Sequence, residues 1–388
     1  MLMSTTRGYD EIIVVFDTYK DSSLKYATRE SQRQGKAPVQ YKIHDDTRIK
    51  HVTTKKFLSH DETKSDLTDD LAMKVIMHNK DSPKLIVVSA SGCTRSNSNI
   101  AFEDNHEEVD TLLIHHAVLA SHRNPPDAEI MFFSTDTDVL VLVVANYHLF
   151  LRKTSISMVS GIIDMEPIAA ALGRQTAKAL PALHAFSGAD TIGKFNRIGK
   201  ATWLKVFMKA GDDVIEAFQQ LMDDDGVSEQ QLAVLASFVC EVYCPKGIHI
   251  DSIPDLRWYL FCKHMAESDR MPPTMGALKQ HILRVHVQAR VWGQASIAHQ
   301  TFVDPLKNGF FQDANGNIMP HTTDDLPAPN ATIEMVSCHC KGDCSTHRCG
   351  CRSHNLACTN LCSCNNECQN DDDSLSIPVF DDSSKDDN

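Results

Sequence analysis

Between Cys338 and Cys368 the chain reads CHCKGDCSTHRCGCRSHNLACTNLCSCNNEC and holds nine of its thirteen cysteines. The spacing is CxC, x3, C, x4, CxC, x6, C, x3, CxC, x3, C. Thiols one residue apart pair poorly as disulfides but suit shared metal ions. An odd count also fits disulfides badly. The stretch has hardly any aliphatic side chains and cannot fold on an apolar core, so metal must supply its folding energy. The alternative, a secreted disulfide knot, lacks the basic-then-apolar leader it would need. An intracellular, reduced protein is therefore expected. Cys93, Cys240, Cys244 and Cys262 lie among apolar neighbours and are expected to be core thiols.

A second chemistry is written in carboxylates. IMFFSTDTDVLVLVVANY, residues 130–147, places Asp136 and Asp138 inside an apolar run, where burying a charge costs several kcal/mol unless it is paired or metal-bound. Asp17 closes the apolar run EIIVVFD. NHEEVD supplies Glu107, Glu108 and Asp110 at the start of a helical pattern, and LHAFSGADTIGKF places Asp190 after a small-residue turn. Converging carboxylates repel one another unless divalent cations neutralise them, and an oxygen-rich cluster suits Mg²⁺ or Mn²⁺. Two such ions about 4 Å apart would suit in-line displacement at a phosphodiester. The alternative for each acid is helix capping or a favourable helix dipole. The i, i+3 spacing puts Glu107 and Asp110 on one helix face, so which glutamate faces inward stays open.

Apolar runs alternating with helical patterns predict an α/β domain with a mostly parallel sheet. Strands are expected over Glu11–Asp17, Lys84–Ser91, Glu129–Asp136 and Tyr147–Met158. Helices are expected over Ser23–Gln34, Leu67–His78, Glu107–Ser121 and Ala201–Met222. DVLVLVVANY is ambiguous, since β-branched residues favour a strand and its position after a turn favours a helix. In open parallel sheets the functional crevice lies beyond the carboxyl ends of the strands, which is where Asp17 and Asp136 fall. Residues 240–300 read as helical, with Trp258 and Trp292 filling a core and with His281 and His286 off a common face. Asn308–Pro329 reads as a linker.

Taken in order, VVFDTYKDSSLKYATRESQR, EEVD, STDTDVL and SGADTIGKFNRIGKATWLKVF resemble the motifs of flap-endonuclease-type PIN-like nucleases over roughly residues 11–220. The variant with DTDVLVL and LHAFSGADT looks closest to nuclease-like proteins associated with transposable elements. The resemblance implies a three-layer PIN-like domain over 11–235 with a helical extension over 236–305. Beyond it, composition sets off a linker over 306–332 and an acidic, disordered tail over 371–388, and the cysteines set off a zinc domain over 333–370. The resemblance assigns catalytic acids to Asp17, Glu108, Asp110, Asp136, Asp138 and Asp190, with one or two Mg²⁺ or Mn²⁺ ions. Lys25, Arg29 and Arg33 would grip the scissile phosphate, and Gly199 and Lys200 would hold DNA backbone. One departure bears on activity. The family opens with a strand carrying its own metal-binding aspartate, and only about ten residues precede the strand at Glu11. The chain is then a fragment of a longer nuclease or an inactive descendant.

The cysteine stretch resembles the CXC domain of tesmin-type DNA-binding proteins and Polycomb-type methyltransferases. The resemblance implies three Zn²⁺ ions held by Cys338, Cys340, Cys344, Cys349, Cys351, Cys358, Cys362, Cys364 and Cys368, with some thiolates bridging. Arg348 stands where the tesmin-type domain carries its minor-groove tyrosine. A formal charge of −13 argues against a generally basic nucleic-acid binder, although Asp371–Asn388 alone carries seven aspartates and one lysine. No apolar run of about 18 residues is present, so no membrane span is expected. The expectation is a nuclear, metal-dependent nuclease acting on DNA and tethered by zinc to DNA or chromatin. Its alternatives are an inactive DNA- or chromatin-binding zinc protein and a scaffold whose zinc module is purely structural.

Overall fold

The computed structural model describes residues 6, 8–18, 39–44, 52–223, 226–262, 270–314, 316–323, 325, 338–353, 358, 362–364 and 368–370. The helix expected over Ser23–Gln34, with Lys25, Arg29 and Arg33, lies outside them, as does the tail from Asp371 onward. The chain divides into two compact units, residues 1–323 and 324–388.

The larger unit is mixed α/β. Strand β1 (Glu11–Val15) runs parallel to β2 (Leu85–Ala90), and β2 turns back through Ser91 and Gly92 into antiparallel β3 (Cys93–Ser96). Ser91 and Gly92 have φ of 48° and 73°, the two positive values that a tight two-residue hairpin turn demands. A second group repeats the plan: β4 (Glu129–Phe133) is parallel to β5 (Lys153–Met158), which pairs antiparallel with β6 (Gly161–Asp164). Among the described residues these are two separate three-stranded sheets, each half parallel and half antiparallel. The expectation of a mostly parallel sheet missed both hairpins because their return strands are only four residues long.

The helices that position the site follow from local signals. Helix α1 (Thr54–Phe57) is a single turn, and α2 (Asp61–His78) packs its buried Ala72 into the small cluster formed by Ile86, Val88 and Ala90. Helix α3 (Val109–Arg123) joins the first sheet to the second. The ambiguous run DVLVLVVANY is helical, within α4 (Thr137–Phe150). Asp136 caps it by accepting from the Asp138 amide at 2.9 Å, and Val139, Leu142, Val143 and Val144 are buried. Burial and the cap outweigh the modest χ1 cost of its valines. The strand expected over Tyr147–Met158 is therefore only Lys153–Met158, starting after a left-handed Leu151 (φ 51°) that ends the helix.

Helix α5 (Met165–Phe186) breaks at Gly173, whose φ of 72° and ψ of 161° no helix accommodates. The helix expected over Ala201–Met222 is two: α6 (Lys200–Phe207) and α7 (Asp212–Asp223), separated by a turn at Gly211. Helices α8 (Glu229–Tyr243), α9 (Ile253–Cys262) and α10 (Met275–Gly293) follow, and α8 opens with a full capping box between Ser228 and Gln231. Buried residues from α3 to Ala295, just past α10, form one continuous core. At its centre the Phe186 ring lies 5.2 Å from Trp203, 5.4 Å from Phe218 and 5.3 Å from His281, ring centroid to centroid.

Trp292 is buried in this unit, but Trp258 is 67% exposed on α9 beside Phe261, so its expected core role is corrected. Cys93 is exposed as well, at the start of a short edge strand, whereas Cys240 is buried as expected. Part of the stretch expected to be a linker folds into a hairpin, β7 (Phe310–Gln312) with β8 (Ile318–Pro320), closed at Asp313 and Gly316. In the smaller unit the one described helix, α11 (Gly350–Ser353), is a single turn carrying Cys351.

Candidate functional site

The acidic group is built where β4 runs into α4. Ser134 Oγ accepts from the Asp136 amide at 3.1 Å, and the Asp136 carboxylate accepts from the Asp138 amide, so this loop is fixed by its own side chains. Asp138, half-buried in the first turn of α4, meets His184 Nε2 of α5 at 2.8 Å. Lys200, at the start of α6, donates to the carbonyls of Gly188 at 2.6 Å and His184 at 3.2 Å, and its Nζ also lies 3.2 Å from His184 Nε2. Gly188 has to be glycine: its φ is 122°, and a Cβ there would lie 2.9 Å from Lys194 Cβ. Burial lowers the Lys200 pKa, against the opposite pull of Asp138, Asp136 and Asp190.

Glu108 lies one step further in. Of the two glutamates left open by the sequence it is the buried one, and Glu107 is half-buried. Its carboxylate accepts from Trp292 Nε1 at 2.9 Å and from Gln288 Nε2 at 3.1 Å, which offsets its loss of water. The Trp292 ring stands 5.9 Å from His184, and Thr191 Oγ1 donates to Gln288 Oε1 at 3.3 Å. A chain of contacts therefore links Glu108 through α10 to the Asp138 pair and to the loop of Asp190.

The structure thus brings Asp136, Asp138, Asp190 and Lys200 together and connects Glu108 to them. Gly199 is the N-cap of α6 beside them. Asp110 sits half-buried in the first turn of α3, and Asp17 is exposed two residues past β1. His184, Gln288 and Trp292 escaped the sequence reading. His184 stood in the quoted LHAFSGAD but carries no spacing signal, and the two α10 residues reach the group only through tertiary packing. An apolar groove of about 630 Å³ opens beside His184 and Lys200 between α4, α5 and α6. Its walls are mostly aliphatic, and the imidazole of His184 is the one aromatic ring among its lining residues.

A divalent cation needs several ligand oxygens at once. Among the described residues, the groups of three or more ligand atoms lying within 4.8 Å of one another are all made of cysteines. At the acidic group the positive charge comes instead from Lys200, while His184 Nε2 meets the Asp138 carboxylate at 2.8 Å.

The cysteine segment meets the same test differently. Three tetrads lie within that distance: Cys338, Cys351, Cys358 and Cys362; Cys338, Cys344, Cys349 and Cys358; and Cys344, Cys358, Cys364 and Cys368. Cys358 belongs to all three, and Cys338 and Cys344 to two each. Tetrahedral zinc with Zn–S bonds of about 2.3 Å sets its sulfurs about 3.8 Å apart. The observed Sγ separations are 3.8 Å for Cys338–Cys344, 3.9 Å for Cys338–Cys358, and 3.6 Å for both Cys349–Cys358 and Cys351–Cys362. These are far beyond a disulfide bond of about 2.05 Å, and the described cysteines are all free thiols. Cys340 packs against the cluster but joins none of the tetrads. Burial and neighbouring thiols raise the pKa of Cys351 to about 12. In Cys349 burial also pushes upward but is outweighed by the Arg352 amide and adjacent thiols, which bring it to about 6. Arg352 donates to the Cys344 carbonyl at 2.8 Å, while Arg348 and Lys341 are exposed.

Compared with known protein families, curated proteins and solved structures, the chain finds no match. What stands is a mixed α/β unit and a C-terminal cysteine cluster whose geometry can hold zinc.

Proposed function

We propose that the protein is a divalent-metal-dependent nuclease acting on DNA phosphodiesters, held to DNA or chromatin in the nucleus by its zinc cluster. The observation that carries this reading is the gathering of Asp136, Asp138 and Asp190 around Lys200 beyond the carboxyl end of β4. That is where open sheets with parallel strands place their chemistry. On this reading Asp136, Asp138 and Asp190, whose oxygens do not form a set of three within 4.8 Å of one another, would have to draw closer on binding Mg²⁺ or Mn²⁺, which would supply water activation and charge neutralisation at the phosphate. His184 orients the Asp138 carboxylate, and Trp292 and Gln288 fix Glu108 behind it. The N-terminus of α6 at Gly199 and the Lys200 ammonium offer positive charge to a phosphate. The PIN-like identity, the part played by Lys25, Arg29 and Arg33, and an origin in a transposable element belong to the same reading. So does a full set of three zinc ions on nine cysteines.

A second reading has its own observation. Lys200 already offsets part of the acidic charge, His184 Nε2 already occupies an Asp138 oxygen, and Glu108 spends both oxygens on Gln288 and Trp292. On this reading the protein binds DNA or chromatin through the zinc cluster and cleaves nothing. Labelled flap and single-stranded DNA incubated with Mn²⁺ or Mg²⁺ separates the two. The nuclease reading expects cleavage by the zinc-loaded chain that falls at least about 100-fold in both Asp136→Ala and Asp138→Ala. Absence of cleavage by folded wild type, with salt-dependent DNA binding retained, would establish the second reading.

A further inference from the structure

The groove between α4, α5 and α6, about 630 Å³ in volume, is apolar along its length and polar at one end only. Thr137, Leu140, Val141 and Val144 stand at i, i+3, i+4 and i+7 on α4 and make one wall, about 10 Å long at 1.5 Å per residue. The two halves of α5, bent apart at Gly173, make the second wall, with Ile168 before the break and Leu183 after it. Helix α6 adds Leu204 and Met208, which are 43% and 48% exposed. The polar lining gathers where Thr137 begins α4. Ser187 Oγ donates to the His184 carbonyl at 2.9 Å, Lys200 Nζ lies 3.2 Å from His184 Nε2, and His184 meets Asp138, the residue after Thr137. The groove therefore starts at the acidic group and runs away from it between aliphatic side chains.

Small-molecule sites have this volume and this lining, mostly apolar with a few polar groups that orient the occupant. Polar groups confined to one end select an amphiphile, with its chain along the helices and its head at Lys200. The sign of the head follows from the charges there. Asp136, Asp138 and Asp190 all act on Lys200, and three carboxylates against one ammonium leave the end with a net charge of −2 when histidine is neutral. The ammonium is itself tied to the carbonyls of Gly188 and His184. An anionic head would be repelled here and a cationic one attracted. The internal segments of the larger unit that lie outside the described residues match this surface poorly. Residues 19–38 hold one leucine among seven charged side chains, 45–51 one isoleucine among four, and 263–269 one methionine among three. None of them has the run of aliphatic side chains that the groove would cover.

We infer that this groove binds a single-chain cationic amphiphile of the long-chain alkylamine class, with its chain between α4, α5 and α6 and its ammonium among Asp136, Asp138 and Asp190. The chain supplies affinity through apolar burial, and the carboxylates supply selectivity for the head. The inference does not rest on the nuclease reading. Were that reading also correct, the amphiphile would compete with the divalent cation for the same carboxylates.

The test is calorimetric titration of the full zinc-loaded chain, without added Mg²⁺ or Mn²⁺, with dodecylamine, dodecanol and laurate below their micellar concentrations. Saturable one-to-one binding is expected, with the amine at least about tenfold tighter than laurate and the alcohol between them. Butylamine, which keeps the head and lacks the chain, should not bind at the same concentrations. Ala171 and Ala201 line the groove at exposed positions, so Ala171→Phe and Ala201→Phe should each fill it without disturbing the core. Each should weaken the amine at least about tenfold with its unfolding temperature unaltered. Asp190→Asn should narrow the gap between amine and laurate and leave dodecanol binding as it was. Absence of saturable amine binding, equal affinity for amine and laurate, or full affinity in both phenylalanine variants would each overturn the proposal. No amine binding together with saturable binding of a helical Leu/Lys peptide would overturn it in favour of a partner helix. Amide exchange of α6 already slow and insensitive to the amine would overturn it in favour of the chain's own residues.

Discussion

In the larger unit the most buried side chains are Trp203, Phe186, Phe218, Phe238 and their aliphatic neighbours; in the smaller one they are cysteines. The first is held by apolar surface removed from water, a non-directional force that tolerates many sequences. The second has no such surface. Its sulfurs are placed where shared zinc ions could hold them, and tetrahedral ligation would fix the spacing residue by residue. This difference explains why the cysteine segment declares itself in the sequence while the acidic group is spread over four separate stretches.

The largest expected effect breaks the comparison in two. Chelation of zinc should remove the fold of residues 338–370 altogether, since zinc binding contributes on the order of 10–16 kcal/mol to such modules. It should leave the larger unit unaltered. Hydrogen exchange before and after chelation reads this directly, and Cys358→Ser, which strikes all three tetrads, should reproduce it. Equal loss of protection in both units would contradict the separation.

The next effect lies in the apolar unit. Trp203 is fully buried beside Phe186 and Phe195, and Trp203→Ala should cost about 3–5 kcal/mol in denaturant unfolding. Its indole N–H has no partner, so Trp203→Phe should cost far less.

A smaller effect is pH-dependent. Burial lowers the pKa of His281 to about 4, with its Nε2 bonded to the Phe186 carbonyl at 2.8 Å, and lowers that of His116 to about 3. The unfolded chain takes up these protons near pH 6.5 and the folded chain does not. Stability is therefore full above pH 6.5 and falls below it, by about 1.4 kcal/mol per pH unit for each histidine, until the folded value is reached. His281→Gln should flatten the slope of unfolding free energy between pH 6.5 and 4 by about that amount. An unaltered slope would mean that His281 is not held neutral.

Legibility followed the range of the forces involved. β1, β2 and β4 were readable because each is a short apolar run bounded by turn residues, and the observed strands start within one residue of the expected ones. Helix α4 was ambiguous because its valines report burial, which strands and buried helices share; only the Asp136 cap separates them. The pairing of Glu108 with Trp292 and of Asp138 with His184 spans 184 and 46 residues, and no local pattern encodes such distances. The exposed Trp258 shows the converse, an apolar periodicity whose far face points to solvent.

The most direct test of the central contrast is native mass spectrometry of the zinc-loaded chain, paired with counting of alkylatable thiols. Three zinc ions per chain are predicted, with the nine cysteines of Cys338–Cys368 protected until the metal is stripped and reactive afterwards. A chain that carries no zinc and holds these cysteines as disulfides would contradict the account.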